Sequence, residues 1–243
     1  RFMQVTQLKM MYKITFYNSK GLSVNCYLVE ENEYLTLIDT AMEEHVENIF
    51  RVAKDIGKPI NNIILTHAHH DHIGGLDTMK QLISYSTVYI SHREAPLMNG
   101  DLSLNEDEPK TAIRGIFPKK KTSKADILLQ DGERIGSLQA LFTPGHTPGS
   151  MSFIDTRNNA LIAGDAFQTI GGLAVAGQIR PSFPFPAKGT WNKEIALKSA
   201  RKIQSYNPSL LAVGHGEIVN QPHADISMAI AEAEQNLNQE KNS

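Results

Sequence analysis

Four of the nine histidines of this chain lie within six positions, in the stretch THAHHDHIGG from Thr66 to Gly75. The apolar run Ile60 to Leu65 comes directly before this stretch and predicts a buried strand. Loops that leave a buried strand are where a rigid sheet carries its functional side chains. The cluster therefore requires a sheet behind it, with the histidines at one end of a strand.

The spacing of the cluster suits metal binding. Residues two apart in an extended segment face the same way, so His67 and His69 can bind one ion while Asp71 and His72 turn toward a second. Imidazole and carboxylate groups suit zinc, manganese or iron. A surface histidine run or the remnant of a tag is the alternative interpretation, and neither is expected directly after an apolar strand.

Three further ligand-type residues also follow predicted strands, and glycine flanks each of them or its loop. Taken singly, each residue is explained equally well as a cap or a turn residue. Taken together they supply the ligands that a two-metal site still needs, and the glycines let the backbone come close. They are His146 after the strand Leu138 to Phe142, Asp165 after Ala160 to Ala163, and His215 after Leu210 to Val213.

Short strand-like runs and amphipathic helical stretches alternate along the rest of the chain, with no internal repeat. The further predicted strands are Tyr12 to Phe16, Asn25 to Val29, Leu35 to Asp39, Asn62 to Thr66, Thr87 to Ser91 and Met151 to Asp155. The predicted helices are Glu43 to Ile56, Gly75 to Ser84, Trp191 to Tyr206 and Ala224 to Leu237. An opening meander followed by strands interleaved with helices indicates two mixed sheets packed together, with helices outside.

Composition narrows the class of protein. A chain of 243 residues with 41% apolar residues can bury the core of one large domain, so residues 1–243 are predicted to form a single domain. The formal net charge of −2 offers no broad basic field for nucleic acid or an anionic membrane. No apolar stretch resembles a signal peptide or a membrane span, so a cytoplasmic protein is expected, although a start at Arg1 leaves the native beginning open. The single cysteine, Cys26, is expected to be a small buried residue.

Taken in order, the motifs THAHHDHIGG, TPGHTPGS, AGDAF and GHG resemble those of the metallo-β-lactamase-fold hydrolases, especially the glyoxalase II and lactonase-like branch. The resemblance runs from LIDTA at Leu37 to His215. It implies an α+β fold, a four-layer αββα sandwich with the metal site at one edge of the two mixed β-sheets. It also implies a dinuclear site in which His67, His69 and His146 hold one ion, Asp71, His72 and His215 hold the other, and Asp165 bridges the two.

The resemblance also separates Asp39 from the other polar residues. Asp39 ends the predicted strand YLTLID and matches a family aspartate that orients a ligand histidine, a role with a general physical basis. The alternative is a turn residue at the end of a strand. The other four histidines are expected to be surface or supporting residues without chemistry; they are His45, His70, His92 and His223.

The implied mechanism is hydrolysis by paired metal ions. Two divalent ions about 3.5 to 4 Å apart hold a bridging water, lower its pKa and present hydroxide to a carbonyl carbon. Asp71 lies beside this nucleophile and is predicted to pass a proton to the leaving group. The expected substrate is a small molecule with a carboxylic ester, lactone or thioester bond. Zn²⁺ is the first choice of metal, with Mn²⁺ and Fe²⁺ as alternatives.

Several relatives of the same fold are disfavoured by departures from their patterns. Zinc β-lactamases carry cysteine at the position of Asp165 or lack that aspartate. Nucleases add domains or basic arms, and glyoxalase II adds a helical part for glutathione, whereas only residues 216–243 follow His215. Persulfide dioxygenases use one iron, so a mononuclear iron oxidoreductase is the alternative function. A binding protein without catalysis is disfavoured because every expected ligand is present, and a homodimer is left open.

Two segments are predicted to shape the substrate pocket. Residues 168–190, here called the pocket loop, are rich in apolar, glycine and proline residues, which suits the wall of an apolar pocket. The candidate contacts for an acyl chain are Phe167, Phe183 and Phe185. Residues 94–124, here called the cap segment, exceed an ordinary connection and are expected to contain a helix. Their Lys119 to Lys121 run is expected to be solvated, with a substrate carboxylate or a partner as the alternative.

Overall fold

The computed structural model describes residues 2–119 and 122–243. The chain divides into two compact units, the first made of residues 1–101 and 116–129 and the second of 102–115 and 130–243. The prediction of one domain over residues 1–243 stays a prediction.

The first unit is built on a mixed sheet of seven strands in the order β1-β2-β3-β4-β5-β6-β7. Its strands are β1 (Met3–Leu8), β2 (Met11–Tyr17), β3 (Ser23–Glu30), β4 (Leu35–Ile38), β5 (Ile60–Leu65), β6 (Thr87–Ser91) and β7 (Ile127–Leu129). Its helices are α1 (Val46–Ile56), α2 (His70–Ile73), α3 (Leu76–Leu82) and α4 (Ala95–Met98), with a 3₁₀ turn at Glu43–His45. Strands β1 to β4 pair antiparallel, whereas β4 to β7 run parallel.

The change from antiparallel to parallel follows from the connections. Helix α1 carries the chain from β4 to the parallel strand β5, as a parallel pair requires. It buries Val46, Ile49, Val52 and Ala53, spaced so that they lie on one face. It ends at Gly57, whose φ of 88° gives the left-handed cap that glycine adopts at low cost. The carboxyl ends of β4, β5 and β6 therefore lie along the same edge of the sheet.

The second unit contains a six-stranded mixed sheet in the order β15-β14-β11-β10-β9-β8 and a two-stranded sheet β12-β13. Its strands are β8 (Arg134–Ile135), β9 (Leu138–Phe142), β10 (Met151–Asp155), β11 (Ala160–Ile162), β12 (Phe167–Gln168), β13 (Ala174–Val175), β14 (Leu210–Ala212) and β15 (Val219–Asn220). Its helices are α5 (Phe185–Lys188), α6 (Lys193–Ser205) and α7 (His223–Lys241). Strands β11 and β14 run parallel, so their carboxyl ends also share an edge.

The core of the second unit joins its sheet to α6 and α7. Leu161 and Leu211 from the sheet cluster with Ala200 and Ile203 of α6 and with Ile226 of α7. Asn192 caps α6, because its side chain accepts a hydrogen bond from the backbone N–H of Ile195 at 2.9 Å. Trp191 therefore lies before the helix rather than in it.

The predicted fold class of two mixed sheets with flanking helices is confirmed. The strands Thr87–Ser91, Leu138–Phe142 and Met151–Asp155 have the predicted bounds. The predicted strand Leu35 to Asp39 is one residue too long, because the observed strand ends at Ile38 and Asp39 has a φ of 63°, outside the strand region. The cap segment contains one short helix, α4.

Among the described residues, no helix combines the length and the apolar character needed to cross a bilayer.

Candidate metal centre

Each candidate ligand of the first unit follows the carboxyl end of a parallel strand. His67 and His69 lie in the extended segment after β5, where His69 has φ −62° and ψ 147°. The single turn of α2 then carries Asp71 and His72. The imidazole centroids of His67 lie 4.9 Å from His69 and 4.2 Å from His72. The four side chains therefore lie together beyond the carboxyl end of β5, and their division into two pairs of ligands stays a prediction.

All three of these histidines are buried, whereas the carboxylate is not. His67 and His72 have no exposed surface and His69 is 5% exposed. The side chain of Asp71 is 42% exposed, and its Oδ2 lies 3.5 Å from Nε2 of His72. Asp71 can therefore exchange protons with water while it stays beside a buried imidazole.

The carboxylate of Asp39 holds two of the ligand histidines from behind. Its Oδ2 lies 2.8 Å from Nδ1 of His72 and accepts a hydrogen bond of 2.8 Å from the hydroxyl of Thr66. The same hydroxyl oxygen lies 2.9 Å from Nδ1 of His67. Because a hydroxyl has one proton and gives it to Asp39, it accepts from Nδ1–H of His67. In the neutral form, both imidazoles thus carry their proton on Nδ1 and present the lone pair of Nε2.

A second carboxylate supports the loop between the first two ligands. Glu94 follows β6 and is fully buried. Its Oε2 accepts a 2.7 Å hydrogen bond from the backbone N–H of Ala68, which lies between His67 and His69. This contact fixes the extended backbone from which both histidines project.

The second unit brings together the other three predicted ligands. Asp165 follows β11 and His215 follows β14, while His146 lies in the loop between β9 and β10. Oδ2 of Asp165 lies 3.4 Å from Nε2 of His146 and 3.3 Å from Nε2 of His215. All three residues are at most 5% exposed. One carboxylate oxygen therefore lies within 3.4 Å of both imidazole nitrogens, and the bridging role of Asp165 stays a prediction.

Two glycines let the ligand loops of this unit lie close to their neighbours. Gly145 has a φ of 139°, and a Cβ added there would lie 2.3 Å from Cα of Ala196 in α6. Gly216 has a φ of 108°, and its Cβ would lie 2.1 Å from Oγ1 of Thr169. A side chain at either position would displace the adjacent ligand, His146 or His215.

The residues present fit divalent metal ions. Two ligand atoms bound to one zinc ion at tetrahedral angles lie about 3.3 Å apart, because each zinc–nitrogen or zinc–oxygen bond is about 2.0 to 2.2 Å. The imidazole–carboxylate contacts within each unit measure 3.3 to 3.5 Å. Charge-assisted hydrogen bonds are shorter, at about 2.7 to 2.9 Å. The spacing therefore suits atoms that share an ion better than atoms that share a proton.

Aromatic rings flank a ligand histidine in each unit. The ring of Phe117 lies 4.8 Å from that of His69, and the ring of Phe183 lies 5.2 Å from that of His215. Phe185 is 54% exposed and stands edge-on to Phe183 at 5.6 Å. Phe167, in contrast, has no exposed surface and packs in the core of its unit. The pocket roles of the three sequence-predicted phenylalanines stay predictions.

The pocket loop is fastened to the rest of its unit. Arg180 forms a bidentate ion pair with Glu232 of α7, at 2.7 and 2.8 Å, and also donates to the carbonyl of Leu173. The hydrogen bonds to Glu232 raise the pKa of Arg180, so this pair persists at every pH at which Glu232 is ionised. The loop ends at Thr190, whose Oγ1 lies 3.0 Å from Nδ1 of His146.

The four remaining histidines lie outside both ligand sets. His92 and His223 are exposed. His45 stacks on Phe16 with ring centroids 4.2 Å apart. His70 begins α2, and its Nδ1 is buried without a hydrogen-bond partner among the described residues.

Two further predictions concern Cys26 and the lysine run Lys119 to Lys121. Cys26 is fully buried in β3, as expected, and burial, with a further contribution from the charge of Asp39, raises the pKa of its thiol. Of the lysine run Lys119 to Lys121, only Lys119 lies within the described residues, where it is exposed.

Three positioning residues were missed by the sequence analysis, namely Thr66, Glu94 and Thr190. Thr66 precedes the histidine cluster and was assigned only to a strand. Glu94 is 26 residues from its partner Ala68, and Thr190 is 44 residues from His146. The only local signal for Glu94 was its place three residues after a predicted strand, and nothing in the sequence around Thr190 singled out its hydroxyl.

Comparison with known proteins gives a consistent result. The sequence profile of the family described as "Metallo-beta-lactamase superfamily" matches residues 19–215. The chain is 51% identical to the uncharacterized protein YobT of Bacillus subtilis (strain 168) over 95% of this chain and 99% of that protein. It is 30% identical to a second protein of that strain, described as "Probable metallo-hydrolase YflN", over 81% of this chain and 83% of the relative.

Solved structures show the same fold. The DIM-1 metallo-beta-lactamase superposes with a TM-score of 0.74 at 18% identity, over 97% of this chain and 98% of that one. A metallo-beta-lactamase from Pontibacter korlensis superposes with a TM-score of 0.73 at 16% identity, over 96% and 99% of the two chains. The predicted metallo-β-lactamase fold is thereby confirmed.

Proposed function

Because this chain belongs to the metallo-beta-lactamase superfamily, we propose that it is a metal-dependent hydrolase with a dinuclear centre. The observation that carries the proposal is the donor set itself. Buried imidazole Nε2 atoms lie 3.3 to 3.5 Å from carboxylate oxygens in both units. Such a set of donor atoms is suited to binding divalent cations.

The assignment of ligands follows the resemblance of the motifs. Each of the seven residues belongs to a group of His and Asp side chains that could hold a metal ion. We assign His67, His69 and His146 to one ion, Asp71, His72 and His215 to the other, and Asp165 to both. Zn²⁺ is the proposed metal, since imidazole and carboxylate are among its common ligands.

The chain's own residues account for orientation and proton transfer. A pair of divalent ions held by these residues would supply an activated water and polarise the scissile carbonyl. Asp39 keeps His67 and His72 oriented for metal binding. Asp71, half in contact with solvent, accepts the proton of the attacking water at its carboxylate and returns it to the leaving group.

The proposed substrate contains a carboxylic ester, lactone or thioester bond next to an apolar group. Phe183 lies against His215 and is buried, whereas Phe185 is exposed beside it, so an acyl chain bound there would contact mainly the ring of Phe185. The glyoxalase II and lactonase-like branch is part of this proposal, as is a location in the cytoplasm.

The first experiment combines metal analysis with a substrate screen. Protein purified without chelator or a metal-binding tag is analysed for metal and assayed on lactones, aryl esters and thioesters. Two zinc or manganese ions per chain with chelator-sensitive cleavage are expected. A single iron per chain with oxygen uptake on a persulfide would overturn the hydrolase and favour an oxidoreductase, and absence of bound metal would overturn both.

The role of Asp71 has its own test. Asp71→Asn keeps an oxygen ligand but cannot take up a proton at neutral pH, so kcat should fall by about 10²- to 10⁴-fold. Metal content of the variant is measured on the same sample, and the exposed Asp55→Asn in α1 is the matched control. Unchanged kcat in metal-loaded Asp71→Asn would remove Asp71 from the proton path.

A further inference from the structure

The hydroxyl of Thr190 lies between a ligand histidine and the pocket loop. Thr190 is 5% exposed, at the end of that loop. Its Oγ1 lies 3.0 Å from Nδ1 of His146 and 2.7 Å from the carbonyl oxygen of Pro186 in α5. Two partners at these distances in a buried position leave little freedom for the hydroxyl proton.

The direction of both hydrogen bonds follows from the groups involved. The carbonyl of Pro186 can only accept, so the single proton of the Thr190 hydroxyl points at it. The hydroxyl oxygen then accepts from Nδ1–H of His146. The opposite nitrogen, Nε2, is left with its lone pair and lies 3.4 Å from Oδ2 of Asp165. This is the tautomer that a histidine requires to bind a metal ion through Nε2.

The backbone holds the same two segments together. Trp191 donates its N–H to the carbonyl of His146 at 3.0 Å, and Asn192 donates to Gly145 at 2.9 Å. Within α5, Gly189 donates to the carbonyl of Phe185 at 3.0 Å. A rigid path therefore leads from the exposed ring of Phe185 through one turn of helix to the imidazole of His146.

We propose that Thr190 is a positioning residue that fixes the tautomer and orientation of His146 for metal binding and ties the metal centre to α5 of the pocket loop. The inference rests on the proposed function, because it takes His146 to be a metal ligand. The arrangement parallels that of His67, where the hydroxyl of Thr66 accepts from the imidazole and donates to Asp39. In one case the terminal acceptor is a carboxylate, and in the other it is a backbone carbonyl of the pocket loop.

The variants separate the hydroxyl from the methyl group. Thr190→Val keeps the shape of the side chain and loses both hydrogen bonds, whereas Thr190→Ser keeps the hydroxyl. Thr143→Val is the matched control, since Thr143 is also a buried threonine and its hydroxyl pairs with that of Ser152 at 2.7 Å. The zinc Kd of each protein is measured by competition with a chromophoric chelator, and the absorption spectrum of the cobalt-loaded form reports the geometry of the site.

Removal of a partner of a ligand histidine typically weakens metal binding by about 10- to 100-fold. Thr190→Val should show this loss and an altered cobalt spectrum, while Thr190→Ser and Thr143→Val should bind as the unsubstituted protein does. Equal Kd values for Thr190→Val and the unsubstituted protein would overturn the inference and leave the proposed function intact. Failure of the unsubstituted protein to bind zinc would instead overturn the proposed function, and with it this inference.

A second measurement needs no variant. Nitrogen NMR of the histidine rings, in the metal-free protein at a pH where the rings are neutral, shows which nitrogen of His146 carries the proton. A proton on Nδ1 supports the inference even if Thr190→Val does not fold. A proton on Nε2 would overturn it.

Discussion

At Asp39 one carboxylate serves two ligand histidines, and its backbone is placed for that role. The residue has a φ of 63°, outside the strand that precedes it. Such a conformation costs free energy for most residues and is less costly for Asp and Asn. In this conformation both carboxylate oxygens face Thr66, and Oδ2 also meets His72.

Asp39→Asn tests this carboxylate with little change of backbone preference. The amide has one acceptor oxygen, so its NH₂ group must face at least one donor that Asp39 satisfies now. We expect zinc affinity to fall by about 10- to 100-fold while the fold is kept. Chelator competition measures the affinity, with Asp55→Asn as the control. An unchanged Kd would show that Asp39 acts only as a turn residue.

Gly145→Ala tests the closeness of the His146 loop to α6. The new Cβ would lie 2.3 Å from Cα of Ala196, and the φ of 139° is itself unfavourable. We expect a loss of roughly 2 to 4 kcal/mol in the free energy of unfolding, measured with urea.

Gly132→Ala is the control for the backbone effect. Gly132 has a φ of 87° with no atom within 4 Å of the added Cβ, so only the cost of the left-handed conformation, about 1 to 2 kcal/mol, is expected. Equal losses for the two variants would mean that the loop moves aside freely.

Among the elements, the strands with the clearest apolar runs were the easiest to predict. The runs at β6, β9 and β10 are bounded by polar or turn residues and gave correct bounds. Strand β1, MQVTQL, is half polar and has no buried residue, and it is a strand because it pairs with β2 along six residues. That pairing is a tertiary contact, which no local pattern reveals.

The candidate site also contains some residues that the local sequence pattern revealed and others that it did not. His67, His69, Asp71 and His72 are adjacent in sequence, and their spacing alone indicated a metal. The supporting contacts of Glu94 and Thr190 join segments far apart in the chain, so they become visible only once the strands and loops are in place.

The first turn before α1 makes the stability of the protein depend on pH. His45 accepts the backbone N–H of Met42 at Nδ1, at 3.1 Å, and burial lowers its pKa, partly offset by Glu44. The unfolded chain binds a proton near pH 6.5, whereas the folded imidazole resists it. Stability should therefore fall as the pH drops below about 6.5 and level off below the folded pKa.

His45→Asn removes the titration and keeps an acceptor for Met42. Urea unfolding of zinc-loaded protein at pH 7 and pH 5 should show a smaller loss for the variant than for the unsubstituted protein. Identical losses would show that His45 does not contribute to the acid sensitivity.

For the molecule as a whole, metal binding should raise the free energy of unfolding. An ion at 100 times its Kd that binds only the folded chain adds about 2.7 kcal/mol. In a chain of this size that corresponds to a rise in Tm of roughly 5 to 11 °C.

The fully buried thiol of Cys26 reports the same change without heating. If Cys26 reacts only in the unfolded chain, zinc at 100 times its Kd should slow its labelling by Ellman's reagent about 100-fold, and chelator should reverse the effect. A labelling rate that does not change with zinc would mean that the reagent reaches the thiol through a local opening unrelated to the metal.

The fastening of the pocket loop has a practical consequence for protein engineering. Thr169 donates its hydroxyl to Glu217, Arg180 is held by Glu232, and Thr190 meets His146. Exposed residues between these three anchors, such as Ile179 and Phe185, can be randomised as a replaceable cassette, whereas Val175 and Ala176 pack in the core of the unit and are kept. Libraries of this kind should change the range of substrates while the candidate metal centre keeps its structure.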